Sequence, residues 1–259
     1  TEEAKKELER KIYEGAIPPE LSHAKPGDAI FVTFATHSVR DFAKNWVNAA
    51  RRLKLEPHFV GALDEKMLED LKSWNVPSML LTGNSVLANR GVQFITAGSA
   101  AFKKMGTVKT KFVQDLLDMI LNPILSDADV AWMRDPREWF VTNEMAKYVD
   151  MAVSTDCLSY KNEEKVRGCW HDQFNTGILF LNPTEKTKGF LKDWQVALET
   201  TTHKFEHDQD IFNRLLRQGA GLRPPQRLDE IDVENRKEGA ERHELHVALA
   251  SKDLKLGAL

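Results

Sequence analysis

The chain has 259 residues, long enough to bury a sizeable core as one large α/β domain or two small ones. Its 36 Lys+Arg against 39 Asp+Glu leave a net charge of −3, which argues against an unspecific nucleic-acid or bilayer surface, since neither polyanion would be attracted overall. Two cysteines, Cys157 and Cys169, exclude a disulfide-dense scaffold and leave open a single staple or two reduced core thiols.

No apolar window is long enough to cross a bilayer and no secretory leader opens the chain. The expectation is a cytosolic protein, or one whose anchor lies outside these residues. Residues 1–11 are charged and read as a helical lead-in or stem, and Pro18-Pro19 and Pro26-Gly27 punctuate a linker that ends near 28. The domain is expected to start at Ala29, where AIFVTFA is a continuous apolar strand of the parallel, doubly covered kind. Thr33, Thr36 and His37 sit toward its carboxyl end. Ser38, with Asp41 in the reciprocal position of a capping box, predicts a helix whose apolar stripe is Phe42, Trp46, Val47 and Ala50.

Residues 58–63 predict a second strand, 64–74 a second helix and 77–81 a third, short strand. This alternation at crossover spacing makes the first half an open α/β sheet. Residues 84–96 read as loop and short edge structure, and 99–118 as helix. That helix carries Lys103, Lys104, Lys109 and Lys111. They are either a solvated face, with Lys111 spaced i,i+4 from Asp115, or a source of one or two ammonium groups for a phosphate at the sheet rim, for which Lys111 is the candidate.

The stretch MILNPILSDADVAWMRDP, residues 119–136, organises the rest. An apolar strand delivers Asp127 and Asp129, with Ala128 between them, to the rim of the sheet. If the strand stays extended, the two carboxylates share a face. Packed together they would repel, and a divalent cation shared with an anionic ligand removes that penalty. The plainer alternative is a pair of turn-capping aspartates. Asp135, Pro136 and Glu138 fit the N-cap, first and third positions of a short helix.

Residues 149–155 predict a strand ending at Asp156, and 174–182 another, entered through Asn175-Thr176-Gly177. The glycine permits close backbone approach to a ligand, and the Asn and Thr side chains offer donors and acceptors for sugar hydroxyls; a tight turn needs the same residue types. Pro183-Thr184 starts an amphipathic helix through Phe190, Leu191, Trp194 and Leu198. In the segment 203–218, Asp208 either caps the last helix or points with Gln209 into the crevice. His203 and His207 are spaced i,i+4 without a third ligand close by, which disfavours zinc. Residues 229–244 are densely charged and read as an exposed helix or a partly disordered insertion. Residues 254–259 turn apolar and stop without a cap.

Taken together, SDADVAWMRDP at 126–136, STDC at 154–157, FNTGILF at 174–180 and HDQDIFNRLL at 207–216 resemble the nucleotide-diphospho-sugar transferase domain of glycosyltransferase family 77. The resemblance is nearest to the plant and green-algal arabinosyltransferases that act on hydroxyproline-rich cell-wall glycoproteins, and it spans residues 29–222. It implies an α/β domain of GT-A fold over 29–228, with a Rossmann-like nucleotide-binding half around a central mixed sheet. Residues 229–259 would be a charged insertion and an incomplete C-terminal part, because related domains continue into further strands and a late basic or histidine-containing segment. It also implies Mn²⁺, or Mg²⁺, on Asp127 and Asp129 against the diphosphate of a UDP-sugar. Thr33, Thr36 and His37 would then face uracil and ribose, with Lys111, Ala128 and Asp156 also at the donor. Asn175, Thr176, Gly177, Asp208 and Gln209 would line the sugar.

The same resemblance implies retention of anomeric configuration, either by front-face attack or by double displacement through Asp208. It places the protein in the Golgi lumen as a type II membrane protein with its anchor before this chain, an oxidising setting that favours a Cys157–Cys169 bridge. The acceptor would be a hydroxyproline-rich glycoprotein or peptide, and no nucleic acid is involved. A metal-dependent hydrolase and a noncatalytic nucleotide-sugar-binding module are the competing classes. Asn175-Thr176-Gly177 and Asp208-Gln209 build a sugar pocket without an evident general acid, which disfavours hydrolysis.

Overall fold

The apolar run AIFVTFA forms β1 (Ala29–Ala35), buried along its whole length. Both of its neighbours, β2 (His58–Ala62) and β4 (Asn122–Ser126), run parallel to it, as a strand covered on two faces requires. A short β3 (Ser78–Leu80) lies beyond β2. The computed structural model describes Leu21 and residues 24–81, 100–140, 148–156, 173–203, 206–218, 226–227, 246–249 and 254–258.

Past β4 the strand directions change. β6 (Phe174–Leu181) runs antiparallel between β4 and β5 (Met151–Thr155). β9 (Lys255–Ala258) pairs parallel with β5 and antiparallel with β8 (His246–Leu249), which carries β7 (Gln226–Arg227). The order β3-β2-β1-β4-β6-β5-β9-β8-β7 makes one mixed, nine-stranded sheet, the GT-A-like α/β architecture expected, with a parallel Rossmann-like half. The apolar residues near the end of the chain therefore have a place in the sheet, as β9.

Helices cover both faces because side chains of one strand alternate between them. On one face, Phe31 and Ala35 pack with α1 (Arg40–Arg52) and α2 (Glu65–Ser73) through Trp46, Val47, Met67 and Leu71. On the other, Ile30, Val32 and Phe34 meet α3 (Ala100–Asp118), α5 (Glu185–Thr200) and α6 (Asp208–Leu216). Phe212 of α6 lies edge-on to Phe190 and Trp194 of α5, with ring centroids 5.3 and 4.9 Å away. Truncating so buried a ring costs about 3–5 kcal/mol. Leu21 is also fully buried in this cluster, so the end of the lead-in packs into the domain.

Several local expectations need correction. Ser38 does not cap α1: a 3₁₀ turn (His37–Val39) precedes the helix, and the Ser38 hydroxyl meets the Thr36 hydroxyl at 2.7 Å. The His37 N–H is satisfied from elsewhere, by Asp64 at 2.8 Å. That same carboxylate caps α2 by accepting from Met67 N at 2.8 Å, so one aspartate joins the ends of two βα units. Phe42 is 52% exposed; it lies in the first turn of α1, beyond the carboxyl edge of β1, where the helix overhangs a cleft. Asp135 is structural as expected, accepting from Arg137 N at 2.9 Å and from its guanidinium at 2.6–3.0 Å, ahead of α4 (Arg137–Phe140). The expected loop at 84–96, the Cys157–Cys169 bridge and the charged run 229–244 lie outside the described residues.

Candidate active site

Topology brings the motifs together. The carboxyl ends of β1, β4 and β5 and the amino end of the antiparallel β6 all fall on one rim, where open α/β sheets bind ligands. The N-terminus of α6 closes over it. The resulting cleft, of about 500 Å³, is lined by Thr36, Asp127, Ala128, Asp129, Thr176, Asp208 and Gln209 together with Lys109 and Phe42.

The acidic pair does not lie on an extended strand. β4 ends at Ser126, whose hydroxyl accepts from Trp46 Nε1 at 2.8 Å. Asp127 N then donates to the Gly177 carbonyl at 2.9 Å, and Val130 N to the Asp127 carbonyl at 3.2 Å. Residues 127–130 thus form a turn, so the period-two argument fails. Both carboxylates reach the cleft because the turn stands at its rim.

Opposite, β6 carries an irregularity. Val153 pairs with Leu179 but Ser154 pairs with Asn175, so residues 176–178 bulge from the β5 ladder, a device that re-aims side chains beside sites. Ser154 Oγ donates to the Asn175 carbonyl at 2.9 Å. The Asn175 carboxamide is engaged at both ends: its oxygen accepts from Gly177 N at 2.7 Å, and its nitrogen donates to Asp156 at 2.6 Å. Gln209 does likewise, accepting from Thr176 N at 3.3 Å and donating to the other Asp156 oxygen at 3.0 Å. Asp156 therefore holds the two amides side by side. Gly177 serves this approach, since a Cβ there would stand 2.6 Å from Asn175 Oδ1.

Asp208 does not cap α6. His207 is the extended N-cap residue, and its N–H donates to Asp210 at 3.2 Å. Asp208 is left in the cleft wall, with its carbonyl held by Trp194 Nε1 at 3.1 Å.

Six expected residues are not in the cleft lining: Asn175, Gly177 and Asp156 stand beside it, and Thr33, His37 and Lys111 stand elsewhere. Thr33 is fully buried on the α1 side of β1, because it shares the face of Phe31 and Ala35. The His37 ring turns to α2, with Nδ1 2.7 Å from Asp70. Lys111 is exposed. It is Lys109 that reaches the rim: its ammonium is 3.5 Å from Asp127, with the side chain only 15% exposed. Burial disfavours its charge, but the carboxylates of Asp127 and then Asp208 outweigh burial and hold it above the ordinary 10.5. The signal was present in the sequence. Lys109 falls in the stripe Met105, Phe112, Val113, Leu116, whereas two residues further on the helix faces away.

Among the described residues, no group of three or more His, Cys, Asp or Glu side chains could hold a metal by itself. Asp127 and Asp129 are nevertheless exposed carboxylates on one cleft. As hard oxygen donors they fit a divalent ion whose remaining ligands come from phosphate and water.

This is an α/β domain with an acidic, lysine-balanced cleft at its switch from parallel to antiparallel strands. The chain belongs to the nucleotide-diphospho-sugar transferase family, whose pattern matches residues 53–248. It is similar to Arabinosyltransferase XEG113 of Arabidopsis thaliana, 27% identical over 75% of this chain and 29% of that protein. It is also similar to UDP-D-xylose:L-fucose alpha-1,3-D-xylosyltransferase MGP4 of the same plant, 21% identical over 79% of this chain and 58% of that one. The chain thus spans less than two thirds of either relative's length. Among solved structures, the galactosyltransferase LgtC in complex with donor and acceptor sugar analogs is 14% identical, with a TM-score of 0.44, over 71% of this chain and 69% of that one.

Proposed function

We propose that this chain is the donor-binding catalytic domain of a retaining glycosyltransferase of family 77, moving a pentose from a UDP-sugar to a hydroxyproline-linked glycan of a cell-wall glycoprotein. The observation that carries this is the cleft in which Asp127, Asp129 and Lys109 face Asp208 and Gln209. It offers a site for a metal-bound diphosphate on one side and polar groups for a sugar on the other. A pentose donor is supported by the relatives' names, which specify arabinose and xylose. L-arabinofuranose is the first choice and xylose the second.

In this mechanism Asp127 and Asp129 would hold Mn²⁺, or Mg²⁺, which when bound neutralises charge on the departing diphosphate. Asp208 and Gln209 position the sugar, and the Asp208 carboxylate supports positive charge developing at the anomeric carbon. The acceptor hydroxyl attacks on the face the diphosphate leaves, its oxygen bonding to the anomeric carbon as the C–O bond to UDP breaks, and its proton goes to the leaving phosphate. The compartment we propose is the Golgi lumen; no described helix is long and apolar enough to cross a membrane.

The test is a donor screen measuring UDP release with and without an arabinosylated hydroxyproline peptide. Acceptor-dependent release from UDP-arabinofuranose that requires Mn²⁺ supports the proposal. Metal-independent release, or cleavage of simple phosphoesters, refutes it and points to a hydrolase.

A further inference from the structure

The motif HDQDIFNRLL contains one polar residue that is buried away from the cleft. Asn213, in α6, is 4% exposed and lies among Ile211, Phe212, Leu215 and Leu216 of the same helix. Burying a carboxamide among apolar side chains costs unless each of its atoms is paired. Here the pairing is specific. Asn213 Oδ1 accepts from Phe174 N at 2.9 Å, while its Nδ2 donates to the Phe174 carbonyl at 2.7 Å. The side chain therefore satisfies both backbone groups of the first residue of β6, as a neighbouring strand would. Nδ2 also donates to the Gln209 carbonyl one turn back, at 2.9 Å. Arg217 donates to Oδ1 at 2.5 Å, with its guanidinium 5.1 Å from the Phe174 ring centroid.

Phe174 is adjacent to Asn175, and Gln209 is adjacent to Asp208. One amide thus ties the entrance of the β6 bulge to the first turn of α6, the two pieces of chain that face each other across the sugar side of the cleft. We infer that Asn213 is a positioning residue for the reaction proposed above. It fixes the separation between the bulge, with Thr176, and the pair Asp208-Gln209, without touching either substrate. The inference rests on that functional reading, and its prediction is specific. Loosening α6 misplaces the sugar but leaves Asp127 and Asp129, which belong to the β4 turn, where they are.

The test compares Asn213→Asp and Asn213→Ala with the wild-type chain. Asp is nearly isosteric and keeps the acceptor for Phe174 N and Arg217 while setting an oxygen against the Phe174 and Gln209 carbonyls in place of both Nδ2 donations, whereas Ala removes the acceptor as well. The expected result is a kcat reduced about 10-fold in Asn213→Asp and about 100-fold in Asn213→Ala, on the scale of an ångström's misplacement. UDP affinity in the presence of Mn²⁺ should stay within about threefold, because its binding groups are elsewhere. Hydrogen exchange gives a readout independent of turnover. The Thr176 amide, donated to Gln209 Oε1 at 3.3 Å, loses protection in both variants, while the β1 and β4 amides keep theirs.

Unchanged kcat together with retained Thr176 protection overturns the inference. So does a uniform loss of protection across the sheet with kcat and UDP affinity unchanged, which would make Asn213 a purely structural residue. An inactive wild-type chain would instead overturn the functional reading, and Thr176 exchange would still decide whether Asn213 sets this geometry.

Discussion

Gly177→Ala is the sharpest single test of how the cleft is built. Gly177 is not in the left-handed region, so alanine meets no backbone strain and only the space around the new Cβ matters. That atom would lie 2.6 Å from Asn175 Oδ1 and 3.4 Å from Asp127 Oδ2. Ordinary contact begins at 3.4 Å, so the Asn175 oxygen must retreat by about 0.8 Å, while Asp127 is undisturbed. The retreat breaks the 2.7 Å bond from Gly177 N and bends the 2.6 Å bond to Asp156. A neutral bond contributes about 1 kcal/mol and one to a carboxylate about 1.5–3. Partial exposure lets water replace some of this, and alanine in a strand returns about 0.5–1 kcal/mol.

The net loss is about 1–2 kcal/mol, or roughly 3–6 °C in Tm for a chain of this size. Asp156 also holds Gln209, so the shift is transmitted to the side of the cleft proposed to hold the sugar. Turnover should fall about 100-fold, with the Mn²⁺ concentration giving half-maximal rate unchanged. Calorimetry and UDP-release kinetics against Mn²⁺ measure both. A variant with wild-type Tm and turnover within about threefold would refute this account of the bulge. A large change in metal dependence alone would place Gly177 with the acidic turn.

Lys109→Met should raise the donor KM about tenfold, whereas Lys111→Ala changes it less than about twofold, because only Lys109 reaches the carboxylates. Since the folded pKa of Lys109 is raised above 10.5, its stabilising contribution is fully present below 10.5 and lost as pH climbs through the folded value. The stability gap between wild type and Lys109→Met, from urea unfolding, should therefore be constant from about pH 7 to about pH 9 and close at higher pH. Asp129→Ala should abolish turnover with Tm within about 1 °C of wild type, because the residue is exposed on a turn; loss of folding would make it structural. Glu206 is held below the ordinary carboxyl value of 4.5 chiefly by hydrogen bonds from Arg214, against burial, with help from Thr201. Its contribution is present above 4.5 and lost as pH falls through the lowered value, so Arg214→Ala should cost about 1 kcal/mol near neutrality, and acid titration of unfolding should show that gap closing.

The sequence by itself determined the strands from β1 to β6 and the long helices between and after them, in order, but not β7, β8 and β9. Continuous apolar runs such as AIFVTFA have a stable place only between two helical layers, and the buried stripes of the helices follow from their 3.6-residue period. It also made Asp127, Asp129, Thr176, Asp208 and Gln209 legible as candidates, because polar residues where an apolar strand ends or a helix begins must face a rim. Only the tertiary structure decided which groups meet there. Position along β1 made Thr33 and His37 look like cleft residues, but strand alternation buries Thr33 and Asp70 draws the His37 ring away. Lys109 and Lys111 are equivalent as letters and differ by more than half a turn of helix. The links from Asp156 to Asn175 and Gln209, and from Asn213 to Phe174, join residues from 19 to 53 positions apart. Local propensity extends over a turn or two of chain, whereas hydrogen bonds are short and directional. Which of them form depends on where the sheet reverses direction at β6, and that is a property of the packed whole.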